Sequence, residues 1–201
     1  AGALDQALAL LAAAQRPLIL LGGCSWTGAG RAALQGFAEA SDIPVVAAFR
    51  YQDQFDNFSR CYAGEAGVGM PAHVKALVRE ADVILAINTR FGEMTTDGYT
   101  LLDVPVPVQR LIHVHASDRE IGKVYQPTLG IQAGPNAFAA ALRPVTGGWA
   151  GWRAQGRAAW EAGFEVGTRL SRSWHWTDEE GEQSLRHVIA PKITFADRFR
   201  V

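Results

Sequence analysis

A doubly wound α/β domain, with helices on both faces of a parallel sheet, is the fold this sequence predicts. Two stretches carry most of that prediction: Glu80-Ala-Asp-Val-Ile-Leu-Ala-Ile-Asn-Thr-Arg-Phe91 and Leu111-Ile-His-Val-His-Ala-Ser-Asp-Arg-Glu-Ile-Gly-Lys123. Each begins as a short apolar run that ends abruptly in polar residues. A strand buried on both faces reads this way when its C-terminal end opens onto a ligand crevice. The third observation is the regular alternation of such runs with helical segments, which implies a parallel sheet.

The elements follow in order. Ala1 to Gln15 reads as an amphipathic helix. Pro17-Leu-Ile-Leu-Leu-Gly22 is a first strand, closed by Gly22-Gly23. Thr27 is suited to cap a helix running through Ala33, Phe37 and Ala40. Pro44 to Ala48 forms a second strand. Gly64-Glu-Ala-Gly67-Val-Gly69 reads as a Gly-rich loop, before a helix begun at Pro71, the favoured first helical position. Asp82 to Ile87 and Gln109 to His115 are the third and fourth strands. A turn of helix near Arg119, a small strand at Leu129 to Gln132 and a helix from Pro135 to Leu142 complete the pattern. Sheets of this kind bind ligands beyond the strand C-termini, where strand order reverses.

Composition shifts at Pro144, separating a domain over 1–143 from a tail over 144–201. Five of the six tryptophans lie in that tail. Residues 149–168 could form a helix with Trp149, Trp152, Trp160 and Phe164 broadly on one side. That stripe either packs back on the sheet or docks a neighbouring domain or subunit. The last thirty residues show no usable periodicity.

The formal net charge is −1, and no basic stripe with interleaved aromatics appears, which argues against a nucleic-acid partner. The apolar runs are too short and interrupted for a membrane span. The start has neither a basic region nor a cleavage site, so no secretory leader is expected. Cys24 and Cys61 are the only cysteines and read as reduced thiols of a cytoplasmic protein.

Several strand-end residues are candidates for a crevice. Gly22 and Gly23 would let backbone approach a ligand, and the helix that follows would favour an anion. Cys24 and Asn88 follow the first and third strands. Arg90 emerges at the same sheet edge, placed either to grip a phosphate or carboxylate or to pair with Glu93 or Asp97. His113 and His115 alternate on one strand and share a side. Without a third ligand they read as a crevice-lining pair, and no metal is expected. Glu65 and Glu93 sit near strand ends, but no nucleophile and base pair accompanies them, so no catalytic residue is assigned.

Taken as an ordered set over residues 5–142, these features resemble the middle domain of thiamine-diphosphate-dependent enzymes of the acetolactate synthase and benzoylformate decarboxylase type. The resemblance rests on Arg16-Pro17 with its strand, Gly22-Gly23, the Gly64 and Gly67 loop, Glu80-Ala81-Asp82 and Arg90-Phe91. It continues through His113, Glu120-Ile121-Gly122-Lys123 and Gln126-Pro127.

The resemblance implies a Rossmann-like crevice that some members use to hold FAD or ADP and others leave empty. Here it would be bordered by Gly22, Gly23, Cys24, Gly64, Gly67, Asn88, Arg90, His115 and Ser117. In nucleotide-holding members the fourth strand ends in acidic residues, and a further Asp follows the last strand. This chain has His115, Ser117 and Gly134 at those places, which argues against a bound nucleotide. The resemblance further implies that thiamine diphosphate and magnesium are held by separate pyrimidine-binding and diphosphate-binding domains, in a homo-oligomer. The Gly-Asp-Gly motif of the diphosphate-binding domain is absent from this sequence. The chain is therefore expected to be a non-catalytic middle domain, excised or terminated early, of a 2-oxo acid decarboxylase or acetolactate synthase-like enzyme. The alternative is a self-sufficient flavin or adenine-nucleotide-binding module of the electron-transfer flavoprotein type.

Overall fold

A computed structural model describes residues 2–173, 175–178 and 181–184, with side chains through Gly163. The chain divides into two compact units, Ala1–Arg157 and Ala158–Val201.

In the first unit α1 (Ala3–Ala12) leads into β1 (Pro17–Leu21), followed by α2 (Gly28–Ser41) and β2 (Val45–Ala48). A short 3-10 turn, Gln52–Gln54, precedes β3 (Tyr62–Ala66), α3 (Ala72–Glu80) and β4 (Val83–Ile87). The unit continues with β5 (Arg110–His115), β6 (Leu129–Gln132), α4 (Pro135–Ala141) and the start of α5 (Ala150–Ser173). All six strands are parallel, in the order β3-β2-β1-β4-β5-β6. The doubly wound prediction holds. The chain winds one way from β1 through β3 and the other way from β4 through β6, so order reverses at the β1–β4 seam.

Burial explains why the central strands were legible. Leu18 to Leu21 and Val83 to Ile87 are all essentially inaccessible, each covered on both faces. The helices bury narrower stripes, for example Leu34, Phe37 and Ala38 on α2. Thr27 caps α2 as its sequence position predicts, its hydroxyl accepting the Gly30 N–H at 3.0 Å. Asp82 has a fixed role at the foot of β4: its carboxylate accepts the Gln15 and Arg16 N–H groups at 2.7 and 2.8 Å. It thereby ties the α1–β1 connection to the sheet.

Two local expectations are corrected. Tyr62–Ala66 is a sixth strand, and Gly64 lies inside it with φ +120° instead of in a loop. Small residues and a glycine conceal an edge strand that pairs with only β2. Near Arg119 the chain makes consecutive turns through Ser117–Lys123 and no helix.

The tryptophan stripe packs inward where it belongs to this unit. Trp149 and Trp152 are buried, and their indole N–H groups donate to the Ala14 and Pro17 carbonyls, both at 2.9 Å. Further along α5, Arg153 Nε reaches Asp42 at 2.9 Å, and Arg157 donates to the Asn57 and Ser59 carbonyls. Gly156 lets the helix lie close to β3: a Cβ there would stand 3.2 Å from that of Ala63. The side chain of Phe164 lies outside the described residues.

The second unit contains the rest of α5 and an antiparallel pair, β7 (His175–Asp178) and β8 (Gly181–Ser184), with His175 opposite Ser184. No described helix is long and apolar enough to cross a membrane.

Candidate functional site

A crevice of about 490 Å³ opens at the C-terminal edge of the sheet. Its wall is made by the segments that leave β1 (Gly23 to Ser25), β2 (Ala48 to Tyr51), β4 (Asn88 to Thr95) and β5 (His115 to Ser117). This is the switch point of a doubly wound sheet, where divergent loops leave a gap. Several of its residues adopt the left-handed region: Ser25 at φ +81°, Asn88 at +58° and Phe91 at +52°. For a bulky residue such as Phe91 that backbone is strained, and such strain concentrates where a loop must take one shape.

The two glycines after β1 make room for neighbouring segments of the chain. Their bare faces are filled by the protein itself. A Cβ on Gly22 would stand 2.6 Å from Thr89 Oγ1 and 3.1 Å from Thr89 Cα, and one on Gly23, at φ +74°, would collide with Asn88. The Asn88 amide donates to the Cys24 carbonyl at 2.9 Å, locking the β1 and β4 loops together.

The start of α2 is similarly occupied. Asn136, at the start of α4, accepts the Thr27 N–H at 2.9 Å and donates to the Ser25 carbonyl at 2.8 Å. A Cβ on Gly30 would collide with that same carboxamide. The helix end that commonly receives a diphosphate in dinucleotide-binding sheets is here covered by a side chain.

Polar groups gather instead on the β4–β5 side. His115 is buried, and its Nδ1 accepts the Ser117 N–H at 3.0 Å. The Ser117 carbonyl also lies 3.2 Å from the same ring nitrogen. Arg90 is exposed and forms no ion pair among the described residues. Asp97, one of its two expected partners, is held by Lys75 at 2.6 Å, and the Lys75 ammonium keeps its carboxyl below the usual range. Glu93 is the one carboxylate among the lining residues.

Beneath this wall lies an aromatic layer. Phe91 meets His113 and Tyr125 edge-on, at centroid separations of 5.1 and 5.4 Å, and His113 meets His115 at 6.2 Å. His113 is 1% exposed; its Nε2 lies 2.8 Å from the Thr89 carbonyl, whereas Nδ1 has no partner. Burial holds its pKa below the ordinary 6.5, outweighing the Thr89 bond that favours the charged form. A histidine kept neutral in the fold binds fewer protons than its unfolded counterpart between its two pKa values. Stability is therefore complete above about pH 6.5 and declines as pH falls towards the folded-state value. We expect melting temperature to drop between pH 7 and 5 more steeply in the wild type than in His113→Gln. Equal slopes in a thermal-melt series would contradict this.

Of the residues singled out from sequence, Gly23, Cys24, Asn88, Arg90, His115 and Ser117 share the crevice wall. Gly22 lies buried behind it. Gly64 and Gly67 do not line it: the first is in the edge strand, and the second packs against Phe49 and Glu65. Sequence reasoning missed Asn136, Phe49 and Thr95. Asn136 carries no local signal, because its partner Thr27 is 109 residues away. Among the described residues no group of three His, Cys, Asp or Glu side chains could hold a metal ion.

A six-stranded parallel sheet with a crevice at its switch point defines a Rossmann-like domain. Comparison with known proteins makes this specific. The sequence profile of the family described as "Thiamine pyrophosphate enzyme, central domain" matches residues 4–142. A sulfoacetaldehyde acetyltransferase of Castellaniella defragrans is 32% identical over 142 residues, covering 71% of this chain and 24% of that protein. Another, from Rhodobacter capsulatus, is 31% identical over 180 residues, covering 89% of this chain and 29% of its own length. An acetolactate synthase of Mycobacterium avium is 35% identical over 115 residues, 57% of this chain and 18% of the enzyme. The chain belongs to the family of thiamine pyrophosphate enzyme central domains. It spans less than a third of the length of these relatives.

Proposed function

We propose that the chain is the non-catalytic central domain of a thiamine-diphosphate-requiring enzyme, holding two catalytic domains in register. The parent reaction would be cleavage or formation of a bond beside a carbonyl, on a 2-oxo acid or a related substrate. There the cofactor supplies carbanion stabilisation. The named relatives, acetolactate synthases and sulfoacetaldehyde acetyltransferases, are both consistent with that chemistry. Thiamine diphosphate and magnesium would be bound by the pyrimidine-binding and diphosphate-binding domains, in a cytoplasmic homo-oligomer.

The observation that carries this reading is the mismatch between the family assignment and the residues present. The family profile fits, yet the chain has no Gly-Asp-Gly sequence and its described residues include no metal-ligand group. The residues do not fit thiamine diphosphate, so no catalytic step is assigned to them. Nor do they favour FAD or ADP. His115 and Ser117 stand at the end of β5, where a ribose would need an acceptor carboxylate, and Asn136 covers the start of α2. The same observations weigh against a flavin module of electron-transfer flavoprotein type, although the sheet would suit one.

Purified chain supplied with thiamine diphosphate, magnesium and pyruvate or benzoylformate is expected to release no carbon dioxide above the protein-free rate. Turnover proportional to protein concentration would overturn the proposal.

A further inference from the structure

We propose that His113 is an acid-sensitive latch for the segment 88–96, and that acid frees this segment while the sheet stays folded. The first observation is how the ring is wired. Its Nε2 lies 2.8 Å from the Thr89 carbonyl, which can only accept, so the neutral ring carries its proton there. Nδ1 is left as a lone pair, buried and without a partner among the described residues. A second proton must go to Nδ1, where it creates a buried charge whose N–H has no acceptor.

The second observation is what surrounds the ring. Burial opposes the charged form most strongly; the Thr89 carbonyl and Glu120 favour it, and His115 opposes it. Two ionisable groups therefore act on the ring, His115 from the same strand and Glu120 from the turns after β5. Its other neighbours carry no charge in acid. The segment after β4 presents Thr89 and Phe91, and the Tyr125 phenol packs behind Phe91. Ala86 on β4 and Gly130 on β6 stand beside His113 in the sheet.

The third observation is why the release is local. β5 is fixed by parallel ladders to β4 on one side and β6 on the other. Segment 88–96 has no ladder of its own, and Asn88 and Phe91 both hold left-handed backbone within it. The Thr89 carbonyl and the Phe91 ring tie it to His113. Water therefore reaches the imidazole at less cost by lifting this segment than by parting the strands. Residues 88–95 also line the crevice, so lifting them reshapes its wall.

Amide hydrogen exchange of the 201-residue chain, resolved by NMR at pH 7.5 and 5.5 and corrected for intrinsic rates, tests it. The reporters are the amides of Asn88, bonded to the Val114 carbonyl, and of Thr95 and Thr96, bonded to that of Gly92. Ile19 and Val45, bonded to the Pro44 and Cys61 carbonyls, report the sheet. A histidine that gains its proton only on release should raise the reporters' opening constants by up to about tenfold between these pH values. At pH 5.5 they should exceed the sheet's by about tenfold or more. His113→Gln should abolish the rise, and His115→Gln should keep it. In the wild type, where no substitution can disturb folding, the ring nitrogens of His113 should titrate with the same midpoint as the reporters' rise. One opening constant shared by reporters and sheet at pH 5.5 would overturn the inference. So would a rise undiminished in His113→Gln, or opening constants that do not change with pH.

Discussion

Replacing Trp152 by alanine should lower the unfolding free energy by roughly 3–5 kcal/mol, the range for truncating a large buried aromatic. The side chain is 8% exposed, and its indole N–H donates to the Pro17 carbonyl at the start of β1. Alanine therefore removes packing and leaves that carbonyl without this donor. Trp152→Phe separates the two parts: it keeps most of the ring but not the N–H, and should cost about 1–2 kcal/mol. Urea unfolding with a common slope gives both values. If alanine costs less than about 1 kcal/mol, the tryptophan is a surface cover and not part of the core. Because this residue lies beyond the family match at 142, the result also reports whether the segment after it is integral to the folded unit.

The second large effect is expected at Gly23→Val. Gly23 has φ +74°, a region that a β-branched residue enters only under strain, and a Cβ there would collide with the Asn88 side chain and carbonyl. Strain and overpacking together should cost roughly 3 kcal/mol or more, with Gly23→Ala intermediate. The Asn88–Cys24 bond would break with it, so the crevice should change shape as the domain loses stability. A valine variant with wild-type stability would show that the β1 and β4 loops are not locked in the way described.

How much of this could be read from sequence follows from burial and distance. The strands β1, β4 and β5 are covered on both faces, so their apolar runs stand out, and they fall within a residue of the positions expected. Thr27 and Pro135 mark helix starts by local chemistry alone, and both are found there. The edge strand β3 escaped because Ala63, Gly64 and Ala66 have no β-branched or aromatic bulk and Gly64 suggests a turn. The crevice was legible only as a location. That Gly22, Gly23 and Gly30 make room for Thr89, Asn88 and Asn136 depends on contacts between segments far apart in the chain. Gly-Gly after a strand is common to a glycine facing a ligand and one facing a neighbouring loop, and only the three-dimensional contact distinguishes them. The tryptophans were ambiguous for a related reason: an apolar stripe shows that something covers it, without showing what.

Calorimetric titration of the 201-residue chain with thiamine diphosphate in the presence of magnesium tests the central claim most directly. A central domain that positions other domains, and holds neither the cofactor nor its metal, should give only dilution heats. Saturable binding at about one site per chain would contradict that assignment.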